Sequence, residues 1–287
     1  MKLLFNIIII FISVNLWGID IDRMTAHFGA MGEAGVANPQ GADNVFINLS
    51  GLTFTTHKIN LGAEFDSILF NINYGSILNG KVFGSYNFGK LGALGLGINN
   101  YSVSVPENGV IFRKMRIIFG YSMEVKNLFA FGAGAEYALW NSTPETLNSV
   151  TDPVSSDSEI DLSMSFLIKY IEHGKFSVVI NDLLPDNNEK TFSPDIISGI
   201  SYVFKKYVFV FDIEYNDSFN LGSGIEYKIT GNFFIRAGLN FQNISDGIVV
   251  ASGLSYNIAG IYLEYAFIYP VNIVSYGTHK IGINYKF

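Results

Sequence analysis

The chain has 287 residues, of which 49% are hydrophobic, 15% aromatic and only 15% charged, and its formal net charge is −7. This composition favours one domain of all-β character or two small ones. The absence of cysteine excludes disulfide bridges, thiolate metal sites and a lipid-modified N-terminal cysteine. The acidic balance gives a nucleic-acid partner no electrostatic support. No internal apolar run approaches the ~20 residues of a membrane-spanning helix, so the apolar residues are dispersed along the chain.

Residues 1–18 have the pattern of an export signal. Lys2 supplies the basic start, residues 3–14 form a short apolar stretch, and Gly18 is a small residue at the expected cut. Leu16 stands where a small residue is usual, so the cleavage site could lie a few residues away. A membrane anchor is the alternative, but the stretch is short and no basic stop-transfer flank follows. We therefore expect an exported protein.

Residues 19–57 form a second segment, which is rich in small residues such as Gly29, Gly32, Ala34 and Gly35. Its glycines do not indicate a nucleotide-binding loop, because no strand precedes them and no βαβ unit follows. Small residues instead allow a backbone to pack closely against another surface.

From residue 58 onward the chain is a succession of alternating segments. Tyr207, Phe209, Phe211, Ile213 and Tyr215 share one face of such a segment, while Asp212 and Glu214 lie on the other. The runs are about ten residues long, which is enough for a tilted strand to cross a bilayer. A soluble sandwich also alternates. The aromatic residues at the ends of the apolar faces, and the glycines and isolated charges opposite them, favour a membrane barrel.

Fourteen such segments can be counted, and their connections alternate in length. The segments are roughly 58–77, 80–88, 92–105, 109–124, 128–141, 158–171, 175–183, 196–205, 207–216, 219–229, 232–242, 247–258, 261–269 and 277–287. Every second connection is a tight turn, and these turns lie at 89–91, 124–127, 172–174, 205–206, 230–231 and 259–260. The connections between them include the long ones at 141–157 and 184–194. Short periplasmic turns and longer outer loops are typical of outer-membrane barrels. We predict an all-β fold, a transmembrane antiparallel β-barrel of about 14 strands over residues 58–287, in the outer membrane and in contact with its lipid.

The C-terminal strand ends on an aromatic residue. Ile281, Ile283, Tyr285 and Phe287 share one face of this strand. Bacterial outer-membrane barrels end in this way, because the last strand closes against the first and is read by the insertion machinery. We therefore predict that Tyr285 and Phe287 form the assembly signal for the barrel-assembly machinery. The last strand of a soluble sandwich is the alternative for these residues taken alone.

The N-terminal segment resembles the start of the FadL-like (long-chain fatty-acid transporter) superfamily, and especially its PorV/PorQ branch. The matching residues are Met31, Gly32, Gly35, Val36, Ala37, Asp43, Asn48, Gly51 and Leu52, whereas Leu49-Ser50 replaces the Pro-Ala of the family motif. In the C-terminal third, short elements such as 224–227, 235–239, 252–256, 263–266 and 278–281 are similar to elements of PorV-type proteins, with Glu264 in place of the family's Asp. The resemblance implies a fourteen-stranded barrel with an N-terminal segment in its lumen.

The width of a fourteen-stranded barrel also indicates that residues 19–57 fill its lumen. Fourteen strands enclose more space than the side chains of an eight-stranded barrel can fill, so a plug or hatch formed by this segment is expected. The motif residues Met31, Gly32, Gly35, Asp43, Asn48, Gly51 and Leu52 are its candidate packing residues. The alternative is a flexible periplasmic leader.

Several charged residues fall on the inward faces of the predicted strands. They are Lys114, Arg116, Glu136, Asp161, Lys169, Asp212, Glu214, Glu226, Arg236 and Glu264. Unpaired charges in a confined lumen are costly, so these residues form either a salt-bridge network or a polar path for a ligand. The sequence does not decide between the two.

Two functions follow from these predictions. One is transport of a hydrophobic compound across the outer membrane, and the other is a surface scaffold for secretion-system proteins, as the PorV resemblance implies. A purely structural barrel or porin without a specific substrate is the alternative. The four histidines are far apart in the sequence, at His27, His57, His173 and His279, and their spacing is not that of metal ligands. The sequence also has no motif of a catalytic nucleophile. We therefore expect neither an enzyme nor a metal or cofactor.

Overall fold

The computed structural model describes residues 24–55, 57–68, 76–105, 109–142, 155–184, 193–216, 218–242, 247–271 and 277–287. The predicted export signal at 1–18 lies outside the described residues, and so does most of the long connection predicted between 141 and 157. None of the described helices is long and apolar enough to cross a membrane.

The alternating segments form fourteen strands of one closed barrel. Every strand pairs antiparallel with its neighbours in the chain, which confirms the predicted all-β architecture. The strands are β1 (Ile59–Ile68), β2 (Ser76–Asn87), β3 (Ala93–Val105), β4 (Gly109–Val125), β5 (Phe129–Ser142), β6 (Ser155–Ile171), β7 (Gly174–Asn181), β8 (Asp195–Phe204), β9 (Tyr207–Asn216), β10 (Ser218–Lys228), β11 (Phe233–Gln242), β12 (Gly247–Ile258), β13 (Ile261–Pro270) and β14 (Thr278–Lys286).

The barrel closes between β1 and β14. Asn60 lies opposite Lys286, and the register continues to Ser67 opposite His279. Beyond the ladder, the Ile59 amide donates to the Phe287 carbonyl at 2.9 Å, and the Phe287 amide donates back at 3.0 Å. The terminal residue is therefore part of the closing seam, as the C-terminal pattern predicted. Each of the fourteen described strands therefore has a partner on both sides, and the barrel that they form has no open sheet edge.

The two faces of the sheet differ as a transmembrane barrel requires. The outward face exposes large apolar side chains, including Val82 (61% exposed), Ile281 (60%) and Ile160 (59%). The inward face carries small and polar residues, among them Asn60, Ser165 and Ser201, all buried. An outward apolar band around a polar interior is the arrangement that a bilayer stabilises.

The connections fall into two sets at opposite ends of the barrel. The turn end has tight connections, including a 3-10 turn at Gly89–Leu91 and left-handed residues at Lys126, Asn127, Lys205 and Ala259. The other end, the loop end, carries the connections that are longer or lie partly outside the described residues. One predicted boundary was wrong. The segment predicted as one strand over 58–77 contains all of β1 and the start of β2, which begins at Ser76 rather than at residue 80.

The described N-terminal segment, residues 24–55, has only short helical pieces. They are α1 (Ala26–Gly29), α2 (Asn44–Ile47) and a 3-10 helix (Leu49–Phe54). Helices of four residues are too short to be stable alone, so this segment depends on contacts with the strands. Asn48 begins the 3-10 helix, and its side chain accepts a hydrogen bond from the Ser50 amide.

Candidate functional site

The N-terminal segment packs against glycines on the inward face of the barrel. A Cβ atom added to Gly224 would lie 2.5 Å from the Met31 carbonyl oxygen, and one added to Gly95 would lie 2.8 Å from the Leu52 side chain. Gly120 and Gly134 leave space in the same way for the side chain of Leu49. The glycines at mid-strand therefore form the surface that receives the segment.

The motif residues of the segment occupy defined places in this packing. Met31 and Leu52 are fully buried, and Gly51 lies against Pro39 and Asn44. Gly32 and Gly35 have φ angles of 69° and 135°, values that side-chain-bearing residues rarely adopt. At Gly32 an added Cβ would also meet the Leu239 backbone at 2.5 Å. These two glycines are required both by their conformation and by the close contacts around them.

Asp212, one of the predicted inward charges, binds the backbone of the segment. Its Oδ2 atom accepts hydrogen bonds from the amides of Gly35 and Val36, at 2.7 and 2.9 Å. Asn48 makes a similar connection, because its amide group donates to the Val36 carbonyl and to Ser177 Oγ at 2.9 Å. The Ser50 amide donates to Ser165 Oγ at 2.7 Å. Polar side chains from several strands thus satisfy backbone groups that packing would otherwise leave unpaired.

A buried cluster of four charges holds the start of the described segment. Lys81 Nζ lies 2.9 Å from both Glu64 Oε1 and Asp66 Oδ2, and Lys280 Nζ lies 2.8 Å from Asp66 Oδ2. Both ammonium groups also donate to the Met24 carbonyl, and the Ala26 amide donates to Glu64 Oε2. Two positive and two negative groups are thereby balanced in a site without solvent exposure. We call these four residues the Met24 clamp.

The four residues of the Met24 clamp are not among the inward charges predicted from the sequence. Glu64 and Asp66 lie in the segment predicted as one long strand over 58–77, for which no inward face was predicted. The sequence does contain a pattern that places them on the inward face. Polar residues at even positions (Asn60, Glu64 and Asp66) alternate with apolar residues at odd positions (Leu61 and Phe65), as on a strand with one polar face.

A second cluster joins β10, β11, β13 and β14. Arg236 Nε donates to Glu226 Oε2 at 2.7 Å, and its Nη2 lies 3.7 Å from Glu264 Oε1. Asn284 donates to Glu264 Oε2 at 2.6 Å, and His27 Nδ1 lies 3.8 Å from Glu264 Oε1. The structure thus brings three of the predicted lumen charges together and places a histidine of the N-terminal segment beside them.

The other predicted charges are separate from these clusters. Arg116 donates through Nε and Nη2 to the two carboxylate oxygens of Glu136. Glu214 accepts a hydrogen bond from Asn220 at 3.1 Å, and Lys169 lies 3.4 Å from Glu124. Asp161 accepts from the amides of Asp182 and Leu184 at the loop end. That these inward-facing charges line a path for a ligand through the barrel stays a prediction.

Two carboxyl groups of the N-terminal segment are affected by burial. Burial raises the pKa of Glu33 to about 6 against the opposing effect of Lys280, and Asn240 donates to its Oε2 atom at 2.9 Å. Burial likewise raises the pKa of Asp43, whose Oδ2 accepts from Thr25 Oγ1 at 3.3 Å. Each group is therefore easier to protonate than an exposed carboxylate.

A narrow pocket lies between the segment and strands β4–β7. Its floor consists of Val45, Phe46, Ile47 and Leu49, and its cavity volume is about 20 Å³. The opposite wall carries the polar residues Glu136, Asp161, Ser163, Ser165 and Asn181, together with the apolar residues Ile118, Met164 and Val179. Asn181 ends β7 at the loop end. The lining combines an apolar floor with a few polar groups, as small-molecule sites do, but the space holds no more than about one water while the segment stays in place.

The sequence predicted only Glu136 and Asp161 among the pocket residues. Val45, Phe46 and Ile47 follow Asp43 and belong to no motif, whereas Leu49 stands at the proline position of the family motif. Within the described ranges, no group of three or more His, Asp or Glu residues is arranged to hold a metal ion. The expectation that the protein needs no metal or cofactor stays a prediction.

Comparisons with known proteins give relatives in structure only. No family model and no curated protein matches the sequence. The structure is similar to the toluene transporter TbuX of Ralstonia pickettii (TM-score 0.72, 14% identity, covering 93% of this chain and 99% of that chain). It is also similar to the monoaromatic hydrocarbon channel CymD (0.70, 14%, 91% and 96%) and to a Pseudomonas aeruginosa FadL homologue (0.67, 10%, 92% and 98%). The chain therefore has the fold of these FadL-type barrels over more than nine tenths of its length.

Proposed function

We propose that this protein transports hydrophobic compounds across the bacterial outer membrane. The observation that carries the proposal is the narrow pocket, whose apolar floor belongs to the N-terminal segment and whose wall belongs to the barrel. A compound that reaches this pocket from the loop end contacts residues 45–49 directly, so its passage requires the segment to shift. The shared fold with structures described as hydrocarbon channels supports the same function.

The proposed path also assigns a role to the segment. Residues 24–55 act as a hatch that fills the lumen at rest, because they contact inward-facing residues of strands on all sides of the barrel. Many of these contacts are hydrogen bonds between barrel side chains and backbone groups of the segment, and water can replace them when the segment moves. Such a hatch prevents leakage of polar solutes while no hydrophobic compound is bound.

The test is uptake by a Gram-negative host that lacks its own channel for hydrophobic compounds. Ser163→Trp places a large ring in the pocket, whereas Ser158→Trp places the same ring on the exposed outward face of the same strand. We expect Ser163→Trp to reduce uptake of a fluorescent fatty acid or of toluene by about tenfold, and Ser158→Trp to leave it unchanged. Equal uptake by both variants, at equal levels of folded barrel, would contradict the proposal.

The narrower predictions from the sequence resemblance are tested separately. Membership of the PorV/PorQ branch and a scaffold role in secretion predict that secretion-system proteins co-purify with the barrel. Co-purification with no uptake would favour the scaffold. Rapid swelling of sugar-loaded liposomes would instead favour a porin without a specific substrate. The prediction that the protein is not an enzyme is retained in this proposal, since transport needs no reacting group.

A further inference from the structure

The turn end of the barrel carries a ring of exposed lysines. They are Lys58 before β1, Lys90 between β2 and β3, Lys126 between β4 and β5, Lys205 and Lys206 between β8 and β9, and Lys228 at the end of β10. The acidic residues of the same end are Glu172, which is exposed, and Glu124, which lies 3.4 Å from Lys169. We propose that this lysine ring binds the headgroups of anionic phospholipids in the membrane leaflet around the turn end.

Charge is sorted between the two ends of the barrel. Among the described residues near the loop end, the carboxylates are Asp66, Glu136, Asp157, Glu159, Asp161, Asp182, Asp195 and Glu214, whereas the cations are Arg113, Lys114, Arg116 and Lys280. The whole chain is acidic, with 25 Asp and Glu against 18 Lys and Arg. An excess of lysine at one end of an acidic protein points to a negative surface facing that end.

The lysines lie next to exposed apolar side chains. Lys90 precedes Leu91, which is 75% exposed, and Lys126 lies two residues before Leu128. The Lys205 ammonium group lies 5.3 Å from the ring centre of Phe204. In such pairs the apolar side chain reaches the acyl region, while the flexible lysine places its charge in the phosphate layer. These turns therefore place apolar groups and positive charges at the depths where a phospholipid leaflet has its acyl chains and its phosphates.

The spacing of the lysines favours a lipid over a protein partner. The ring begins at β1 and continues at the β2–β3, β4–β5, β8–β9 and β10–β11 connections, so it extends around most of the barrel. A folded protein partner would meet one side of this end, whereas a leaflet surrounds it. Electrostatic attraction to lipid decays within about 8 Å at physiological salt, so only headgroups in direct contact are selected.

The experiment measures lipid selectivity of the reconstituted full-length barrel. Spin-labelled phosphatidylglycerol and phosphatidylcholine are compared for association with the protein at low ionic strength. We expect the anionic lipid to associate at least about threefold more strongly with the native chain. The variant with Lys→Gln at all six positions should show no preference, and the variant with Lys→Arg at the same positions should keep it.

A salt titration of the native protein gives a second readout that needs no variant. Raising the salt to 1 M shortens the screening length to about 3 Å and should abolish the preference. Equal association of both lipids with the native chain would overturn the proposal, and so would a preference that survives the six Lys→Gln changes. Lysine-dependent binding of an acidic periplasmic protein without lipid selectivity would also overturn it. The inference depends on membrane insertion alone, so its failure would leave the proposed transport function untouched.

Discussion

Lys81 of β2 and Lys280 of β14 donate to the same carbonyl oxygen, that of Met24, at 2.6 and 2.8 Å. The two strands flank β1, which supplies Glu64 and Asp66 to neutralise the two ammonium groups. The seam that closes the barrel is therefore also the place where the N-terminal segment is fixed. Assembly of the barrel and docking of the segment are coupled through these four side chains.

We first predict that Lys81→Met releases the start of the segment and destabilises the protein. Removal of one member of a buried charge cluster leaves a carboxylate without its partner, which typically costs about 3–5 kcal/mol. Hydrogen exchange of residues 24–30 should become faster, and the folded barrel should lose heat resistance on gels. Lys228→Met, at an exposed lysine, is the control and should change neither property. Unchanged exchange in Lys81→Met would show that the Met24 clamp is not needed for docking.

The second prediction concerns the close contact between Gly224 and Met31. A Val side chain at position 224 would collide with the Met31 backbone, because even an added Cβ lies 2.5 Å from its carbonyl oxygen. We expect Gly224→Val to displace the segment and raise the leakage of small polar solutes through the folded barrel. Gly80→Val is a matched control on another strand, since nothing lies within 4 Å of a Cβ added there. If both variants leak equally little, the segment does not seal the lumen.

The third prediction is a pH dependence that Glu33 imposes. The folded-state pKa of Glu33 is about 6, above the ordinary 4.5, because the group is buried. The folded state therefore holds the proton more tightly, and the contribution to stability is full below pH 4.5 and is lost as the pH rises to about 6. A shift of this size corresponds to about 2 kcal/mol. This is an upper bound, because the Glu33 residue is only partly buried and solvent screens its charge.

Thermal unfolding of Glu33→Gln measures this effect. The variant should be more stable than the native chain at pH 7.5, and the two should be alike at pH 4. Glu172→Gln, at an exposed turn carboxylate, is the control and should show no such difference. An equal gain of stability in Glu33→Gln at both pH values would mean that the carboxyl group does not titrate as described.

The fourth prediction separates two roles of Phe287. Its backbone forms two hydrogen bonds with Ile59, and its ring lies 4.7 Å from that of Tyr285. Deletion of Phe287 removes both, whereas Phe287→Ala keeps the backbone pair. If the insertion machinery reads the aromatic residue, both variants should reach the outer membrane in amounts several times lower than the native chain. Normal membrane levels of the deletion variant would refute an assembly signal at this residue.

The sequence alone determined the barrel. Strand alternation, tight turns and the terminal aromatic residue are local patterns, and each acts within about ten residues of chain. Fourteen strands and the closing role of Phe287 were predictable for this reason. The one misplaced boundary lies between Ile68 and Ser76, where the predicted strand ran past the turn-forming residues Asn73 and Gly75 of the sequence.

Only the tertiary structure decided which inward charges meet and what they hold. Asp66 and Lys280 are 214 residues apart, and their 2.8 Å contact exists only because β1 pairs with β14. Alternation shows that a charge faces inward, but its partner depends on strand register and on the path of the N-terminal segment. The same limit applies to the pocket, whose floor at 45–49 and wall on β4–β7 are joined by packing and by no local pattern.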